Sequence, residues 1–261
     1  MNKKSKRGFR KYYDNLEVIG NGNFGIVYKG RNKKTNKFRA IKVIQLDKLK
    51  ENILSNIEIE DPEKKFEEYI ENYINECENM KICSNINSVK FYKYFKDEKE
   101  FVIIMELCDC NLSQLLLEKN EEGFNEDEIY EIMTQLNNAL KIMKNNNIIH
   151  RDLKLENILV KFIDELNSLS SINILHSFVG TIIYMAPELL KKEEYNYKCD
   201  LWSLGIIIYK LYFGKSPFSG ITEEALTRNI VNFRSNNFKK IGNKDLDDLL
   251  KNLLEKEKEK R

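Results

Sequence analysis

A short run near the middle of the chain brings together three side-chain types that could do chemistry. Residues 150–157 read His-Arg-Asp-Leu-Lys-Leu-Glu-Asn and lie between a helical pattern and the apolar run 158–160. Within this run Asp152 is an acid, Lys154 a base and Asn157 an amide. The run is therefore a candidate catalytic loop.

A glycine-rich segment near the start of the chain could bind phosphate. It reads Gly-Asn-Gly-Asn-Phe-Gly-Ile-Val over residues 20–27 and lies between two predicted strands. Its glycines would let the backbone approach phosphate groups that side chains would otherwise hold away. Dinucleotide-binding folds also use three glycines, but they need a helix immediately afterwards, and here a strand follows. The candidate phosphate-binding residues are Gly20, Asn21, Gly22, Asn23, Phe24 and Gly25.

The next chemical candidate is a lysine in an apolar setting. Residues 40–43 read Ala-Ile-Lys-Val, at the distance expected for a third strand. Burial of Lys42 would be costly without an anionic partner, which a phosphate and a carboxylate would supply. Taken alone, the segment is equally compatible with an exposed lysine on an edge strand.

The elements that must position these residues change character along the chain. Strand patterns come first, a helical pattern follows between 45 and 81, a hairpin comes next, and helical patterns dominate from 112 onward. The predicted strands are 16–19, 26–29, 38–43, 89–95 and 101–107. The pattern predicts a small β-rich part followed by a larger α-rich part, with the boundary near residues 106–110.

The ordered motifs resemble those of the protein kinase family. Besides the 150–157 loop, residues 185–188 (Met-Ala-Pro-Glu) and 200–205 (Asp-Leu-Trp-Ser-Leu-Gly) match later landmarks of that family in order and approximate spacing. The resemblance covers most of the chain and implies an α+β, bilobal fold with ATP in the cleft between the lobes. It implies a β-rich N-lobe over 12–105, a hinge over 106–110 and an α-helical C-lobe over 111–261 that lacks its last helix. Residues 1–11 are interpreted as a basic, solvated tail.

The resemblance also implies roles for the chemical candidates. Asp152 would orient the substrate hydroxyl or accept its proton, Lys154 would contact the transferring phosphoryl group, and Asn157 would hold Mg²⁺. Lys42 would bind the α- and β-phosphates with Glu76 as its helix partner, and Glu78 is the alternative partner. ATP and Mg²⁺ are thus the expected cofactors, and a protein is the expected substrate.

The same resemblance assigns the adenine site and two further residues. Ile19, Val27, Ala40 and Leu159 would enclose the adenine, Met105 would be the gatekeeper, and backbone groups of Glu106 and Cys108 would bind the base. Glu188 is expected to pair with Arg261. Lys154 and Thr181 resemble the serine/threonine branch of the family. Ser177 is a candidate regulatory phosphorylation site, since Arg151 could bind its phosphate.

Two segments depart from the family pattern. The metal-binding Asp-Phe-Gly triplet is absent from 160–179, and Asp164 is the only aspartate there. Three explanations fit the absence of the triplet: the chain is a pseudokinase, it has an unusual metal site that uses Asp164, or a segment is missing between Lys161 and Ser171. The second departure is the long, acidic stretch 45–75, which is either a docking insert or an extended surface helix.

Composition narrows the remaining function classes. The chain has 261 residues, 42% of them hydrophobic, and its 43 Lys and Arg against 41 Asp and Glu do not indicate a nucleic-acid partner. The five cysteines have no zinc-ligand spacing, so we expect free thiols and an intracellular, cytoplasmic location. No apolar run is long enough to span a membrane. The oligomeric state is not indicated.

Overall fold

The computed structural model describes residues 8–21, 25–57, 59–119, 122–162, 182–234 and 238–261, and the backbone of 169–174. The chain divides into two compact units. The first comprises the described residues up to Ser84 together with Val89–Cys108, and the second comprises Asn85–Ser88 and the described residues from Asp109 onward.

The first unit is built on a five-stranded antiparallel sheet. The strand order is β1-β2-β3-β5-β4. The strands are β1 (Tyr13–Asn21), β2 (Gly25–Asn32), β3 (Phe38–Gln45), β4 (Phe91–Lys96) and β5 (Glu100–Met105). Its helices are α1 (Leu46–Ser55) and α2 (Pro62–Ile82). Most strand ends lie one to three residues beyond those predicted, because hydrogen bonding continues into flanking residues. Two predicted ends are wrong: β4 begins at Phe91 rather than at 89, and β5 ends at Met105 rather than at 107.

One face of this sheet carries a small hydrophobic core. Cross-strand partners point to the same face, and the buried residues of this cluster are Phe9, Tyr13, Ile41, Val43, Val102 and Ile104. Phe9 is fully buried within a 3₁₀ turn, Gly8–Lys11, and Arg10 donates a hydrogen bond to Glu100 at 2.9 Å. The predicted basic tail over 1–11 is therefore too long, since residues 8–11 belong to the folded unit.

The helical pattern between 45 and 81 forms two helices rather than one long helix. Helix α1 ends at Ser55, and a new helix begins at Pro62, where the Asp61 side chain caps α2 by accepting from the Lys64 backbone N–H. In α1, Leu46, Leu49 and Ile53 are buried. The other residues of α1 are exposed, so α1 is a surface helix with one buried apolar face, and the prediction fails only in taking the stretch as a single extended helix.

The second unit is mainly helical. Its helices are α3 (Leu112–Glu118), α4 (Glu126–Asn145), α5 (Pro187–Leu190), α6 (Lys198–Phe213), α7 (Glu223–Val231) and α8 (Lys244–Leu253). Helix α6 is buried on most sides, as its near-continuous apolar sequence requires. Strands β6 (Cys110–Asn111), β7 (Ile158–Phe162) and β8 (Leu169–Ile174) form an antiparallel sheet in the order β6-β7-β8, which the sequence patterns did not predict.

The predicted α+β fold class is confirmed by this combination of a five-stranded sheet and a helical unit. None of the helices within the described ranges is long and apolar enough to cross a membrane.

Candidate active site

The three polar residues singled out in the 150–157 run lie together. Asn157 Nδ2 donates to the backbone oxygen of Asp152 at 2.8 Å and to its carboxylate Oδ2 at 2.9 Å. Lys154 Nζ lies 3.1 Å from the same Oδ2. Asp152 is 4% exposed. The carboxylate is thus fixed in one orientation by a neutral donor and a cation.

The loop that carries Asp152 is anchored to helix α6. Asp200 accepts hydrogen bonds from the backbone N–H of His150 at 2.8 Å and of Arg151 at 2.9 Å. Arg151 has φ of +66°, a left-handed conformation that costs a non-glycine residue about 1–3 kcal/mol. The two hydrogen bonds to Asp200 offset the energetic cost of this backbone conformation. His150 Nδ1 accepts from the Asp152 N–H at 3.3 Å, which ties the loop to itself.

Asp200 positions the backbone of the 150–152 segment, a role that the sequence analysis did not assign to it. Burial raises its pKa, although the nearby His150 and the two backbone N–H groups act in the opposite direction. The sequence contained one signal for this role. Asp200 is the first residue of the apolar helical pattern 200–209, and a carboxylate buried in such a helix needs hydrogen-bond donors.

Asn157 could contribute to a magnesium site. Its Nδ2 is committed to Asp152, which leaves the amide oxygen as a ligand of the type that Mg²⁺ prefers. Within the described ranges, no group of three His, Cys, Asp or Glu side chains is placed to hold a metal ion. The described residues therefore supply only part of a magnesium site. Asp164, the acidic alternative, lies outside the described residues.

In the first unit, Lys42 and Glu76 form the predicted pair. Lys42 Nζ lies 2.8 Å from Glu76 Oε1, with side-chain exposures of 23% and 5%. The alternative partner, Glu78, instead faces Lys81 at 3.6 Å. Glu76 Oε2 is buried, and among the described residues it has no hydrogen-bond partner. Lys42 is consequently held in place by one carboxylate oxygen.

Strand pairing places several candidate adenine residues beside Lys42. Val27 pairs with Lys42 across β2 and β3, and Ala40 pairs with Met105 across β3 and β5. These side chains therefore share the sheet face of Lys42, opposite to the hydrophobic core of the first unit. Ile19 lies near the end of β1 and is 45% exposed.

The glycine-rich segment spans the β1–β2 hairpin. Gly20 and Asn21 end β1 and Gly25 begins β2, whereas Gly22, Asn23 and Phe24 lie outside the described residues. A Cβ at Gly25 would lie 2.8 Å from the backbone oxygen of Val43, so this position requires glycine for packing alone.

The remaining predicted site residues are distributed over both units. Glu106 donates its N–H to the Lys90 oxygen at 2.9 Å, so this N–H is engaged within the first unit. Cys108 also follows β5, and Leu159 lies on β7 of the second unit. Ser177 and Thr181 fall outside the described residues.

Glu188 and Arg261 form the predicted ion pair. The two guanidinium nitrogens of Arg261 lie 2.8 Å and 3.1 Å from the two carboxylate oxygens of Glu188. Arg261 also donates to the Lys198 oxygen at 2.8 Å. The pair fixes the end of the 185–188 motif to the start of α6.

Comparisons with known proteins agree with these motifs. The family model described as protein kinase domain matches residues 13–261. Serine/threonine-protein kinase TIO of Arabidopsis thaliana is 34% identical over 229 residues, covering 84% of this chain and 16% of that protein. Serine/threonine-protein kinase ppk11 of Schizosaccharomyces pombe is 36% identical over 220 residues, covering 80% and 64%. Calcium-dependent protein kinase 5 of Plasmodium berghei is 35% identical over 240 residues, covering 85% and 39%. The chain thus spans less than two thirds of the length of each of these relatives.

Proposed function

The chain belongs to the protein kinase family, and from this premise we propose that it transfers the γ-phosphate of ATP to a serine or threonine hydroxyl of a protein substrate. The observation that carries the proposal is the Asp152 carboxylate, held by Asn157 at 2.9 Å and by Lys154 at 3.1 Å. The serine/threonine specificity is supported by Lys154 in the loop and by the names of the Arabidopsis and fission-yeast relatives.

In the proposed reaction, the substrate hydroxyl oxygen bonds to the γ-phosphorus while the bond to the β–γ bridging oxygen breaks. ADP leaves with that electron pair. Asp152 orients the hydroxyl and accepts its proton, and Lys154 neutralises negative charge on the transferring group. Lys42, positioned by Glu76, binds the α- and β-phosphates. Mg²⁺, when bound, neutralises the phosphate charge, and Asn157 would be one of its ligands.

The remaining predicted residues complete this assignment. The glycine-rich segment covers the phosphates, and Ile19, Val27, Ala40 and Leu159 contact the adenine. Backbone groups of Glu106 and Cys108 bind the base. Ser177 is proposed as a regulatory phosphorylation site that pairs with Arg151.

The proposal is tested by phosphate transfer from labelled ATP, with Mg²⁺, to a generic protein substrate. We expect transfer by the chain and a reduction of about a hundredfold or more in the Asp152→Asn variant, because the variant cannot accept a proton. Equal transfer by both forms would contradict the role of Asp152.

A second candidate function is a nucleotide-binding or scaffold module without catalysis. The observation that favours it is the absence of Asp-Phe-Gly from residues 160–179, which removes the usual carboxylate ligand of Mg²⁺. ATP-induced thermal stabilisation without any transfer, under conditions where a known active kinase phosphorylates the same substrate, would favour this alternative.

A further inference from the structure

Strand β4 lies at one edge of the sheet of the first unit and carries cations and aromatic rings. The sequence over residues 90–96 reads Lys-Phe-Tyr-Lys-Tyr-Phe-Lys, with no acidic residue. The order β1-β2-β3-β5-β4 leaves β4 paired with β5 alone among the described strands. An edge strand presents backbone donors and acceptors along its outer side. This strand therefore offers both backbone hydrogen-bonding groups and positive charge to another chain.

The first of two cation–ring clusters lies at the start of β4. The Arg39 guanidinium carbon is 4.2 Å from the ring centroid of exposed Tyr92, and Lys90 Nζ is 5.8 Å from the same centroid. Arg39 also donates to the Phe38 oxygen at 2.7 Å. These contacts hold the guanidinium in one place on the surface. An anion that binds there costs less side-chain entropy than one that must order a free arginine.

The second cation–ring cluster lies further along β4. Lys93 Nζ is 4.6 Å from the ring centroid of Phe95 and 5.2 Å from that of Tyr12, and Lys11 Nζ is 5.8 Å from the Tyr12 centroid. The Tyr12 and Phe95 rings are stacked, with centroids 6.1 Å apart and planes 2° from parallel. Because these rings already face one another and the lysines, they leave little open surface on which a nucleic-acid base could stack. The cluster therefore favours a ligand that binds the ammonium groups.

The cations of the two clusters differ from other cations of the first unit in their partners. Arg10, Lys29 and Arg31 each lie within 4 Å of a carboxylate oxygen. Within the described ranges, no carboxylate oxygen lies that close to any of the cluster cations, Lys11, Arg39, Lys90 and Lys93. Ammonium and guanidinium groups have several N–H donors each, so these cations have capacity for external carboxylates. The surface is thus complementary in charge to an acidic chain.

We propose that β4 and its two cation–ring clusters bind an extended acidic segment of a partner protein, which adds to the free edge of the sheet as a further strand. The main chain of the segment pairs with β4, and its carboxylates contact the cluster cations. The clusters are centred on Tyr92 and Phe95, which are about 10 Å apart along a strand that advances about 3.3 Å per residue. Carboxylates a few positions apart in one extended segment therefore reach both clusters. The inference goes beyond the proposed kinase function, since none of these side chains belongs to the candidate active site.

The test measures binding of labelled peptides to the full chain by fluorescence anisotropy, without ATP. Three peptides of about ten residues, longer than the six residues of β4, alternate Thr with Glu, Gln or Lys. We expect the Glu peptide to bind about tenfold more tightly than the Gln peptide, with a difference that shrinks as salt is added. A Glu peptide methylated at every backbone nitrogen should bind about tenfold more weakly, because it cannot donate to β4. Equal binding of the Glu and Gln peptides, or of the methylated and unmethylated Glu peptides, would overturn the proposal.

Variants of the exposed lysines locate the binding surface. Lys93→Glu and Lys90→Glu should each weaken the Glu peptide about tenfold, whereas Lys93→Arg should retain its binding. Lys48→Glu, at an exposed position of α1, is the matched control because it changes the net charge by the same amount. It should leave the affinity unchanged. If Lys48→Glu weakens the Glu peptide as much as the two β4 variants do, the attraction is general and the proposal is wrong.

Two other anionic ligands are tested in the same way, namely vesicles that contain phosphatidylserine and a single-stranded oligothymidylate. Binding of either ligand that is lost in Lys93→Glu, without binding of the Glu peptide, would overturn the proposal and assign the surface to a membrane or a nucleic acid. Binding of the Glu peptide that is lost in Lys93→Glu and kept in Lys48→Glu would support it. Because the measurement needs no ATP, its result is independent of whether the chain transfers phosphate.

Discussion

Lys42 Nζ lies 2.8 Å from Glu76 Oε1, and this contact joins β3 to α2 across 34 residues of sequence. The Glu76 side chain is 5% exposed, so its charge depends on Lys42 for compensation. The ion pair therefore fixes both the orientation of the lysine and the position of the helix.

Removing one member of this pair should destabilise the first unit. Lys42→Met leaves a buried carboxylate without a cation, and we expect a loss of about 1–3 kcal/mol in the free energy of unfolding. The Lys42→Met/Glu76→Gln double variant should lose less than the sum of the single variants. Urea unfolding followed by circular dichroism measures all four forms.

Glu78→Gln is the control for this cycle, because Glu78 lies two positions from Glu76 and faces Lys81 instead. Its free energy of unfolding should equal that of the unaltered chain. If the stability lost in the double variant equals the sum of the losses in the two single variants, Lys42 and Glu76 do not interact in solution.

Local sequence patterns were sufficient for part of this architecture. The strands carrying Val27 and Lys42 were predicted because short β-rich runs are bounded by Gly, Asn and Lys clusters. The Lys42–Glu76 and Glu188–Arg261 pairs were predicted from the family resemblance, and both are confirmed. The ATP-binding and catalytic roles of these residues stay predictions.

The features that were missed depend on contacts between residues remote in sequence. Asp200 binds the backbone of His150 across 50 positions, and Lys210 meets Tyr184 across 26. No periodicity within either segment specifies such a partner. Phe9 was likewise assigned to a tail because its neighbours are basic, although it is fully buried. Tertiary packing, not local pattern, determines these positions.

Asn157 is predicted to act on both Asp152 and Mg²⁺. Asn157→Ala removes the donor to Asp152 and the amide oxygen, and we expect transfer to fall about a hundredfold or more. Asn157→Asp keeps an oxygen ligand but places a second carboxylate beside Asp152. Its activity should therefore be low yet respond more steeply to added Mg²⁺ than that of Asn157→Ala.

Initial rates measured against Mg²⁺ concentration distinguish these effects. Asn138→Ala, at an exposed position on α4, is the control and should retain the unaltered rate. If both Asn157 variants have the Mg²⁺ dependence of the unaltered chain, Asn157 is not a metal ligand.

Helix α1 is predicted to be part of the folded unit rather than a removable insert. Leu49 is fully buried, so Leu49→Ala should lower the free energy of unfolding by about 2–5 kcal/mol through lost burial and a cavity. Leu54 is 70% exposed on the same helix, and Leu54→Ala should change it by less than about 0.5 kcal/mol. Equal effects in chemical denaturation would contradict the packing of α1.

Cys77 should make stability depend on alkaline pH. Burial raises the pKa of this thiol from 9.0 to about 12, and the Glu76 carboxylate contributes to the shift. Below pH 9 both the folded and unfolded states hold the proton. Between about pH 9 and 12 only the unfolded state releases it, so the free energy of unfolding falls as pH rises.

Cys77→Ser removes this titrating group with a small change in shape. We expect a shallower loss of stability between pH 9 and 11 in the variant than in the unaltered chain, after both are referenced to pH 8. If the free energies of unfolding of the two proteins, measured with urea at each pH, fall in parallel as pH rises, Cys77 ionises normally in the folded state.

Arg261 is predicted to be essential for the stability of the second unit. Its side chain is fully buried against Glu188, which is 4% exposed, so Arg261→Met leaves an uncompensated buried carboxylate. We expect a loss of about 3–5 kcal/mol. Arg261→Lys should recover only part of this, because an ammonium cannot reproduce the two parallel hydrogen bonds of a guanidinium.

The single tryptophan of the chain provides the measurement. Trp202 is fully buried, and the Arg261 guanidinium carbon lies 5.3 Å from its ring centroid, so its fluorescence reports unfolding of this region directly. Lys260→Met is the control, since Lys260 is exposed and pairs with exposed Glu257. Glu188→Gln combined with Arg261→Met should restore part of the lost stability, because the double variant buries no charge at this site. A double variant no more stable than Arg261→Met alone would show that the loss comes from the packing of Arg261 rather than from its charge.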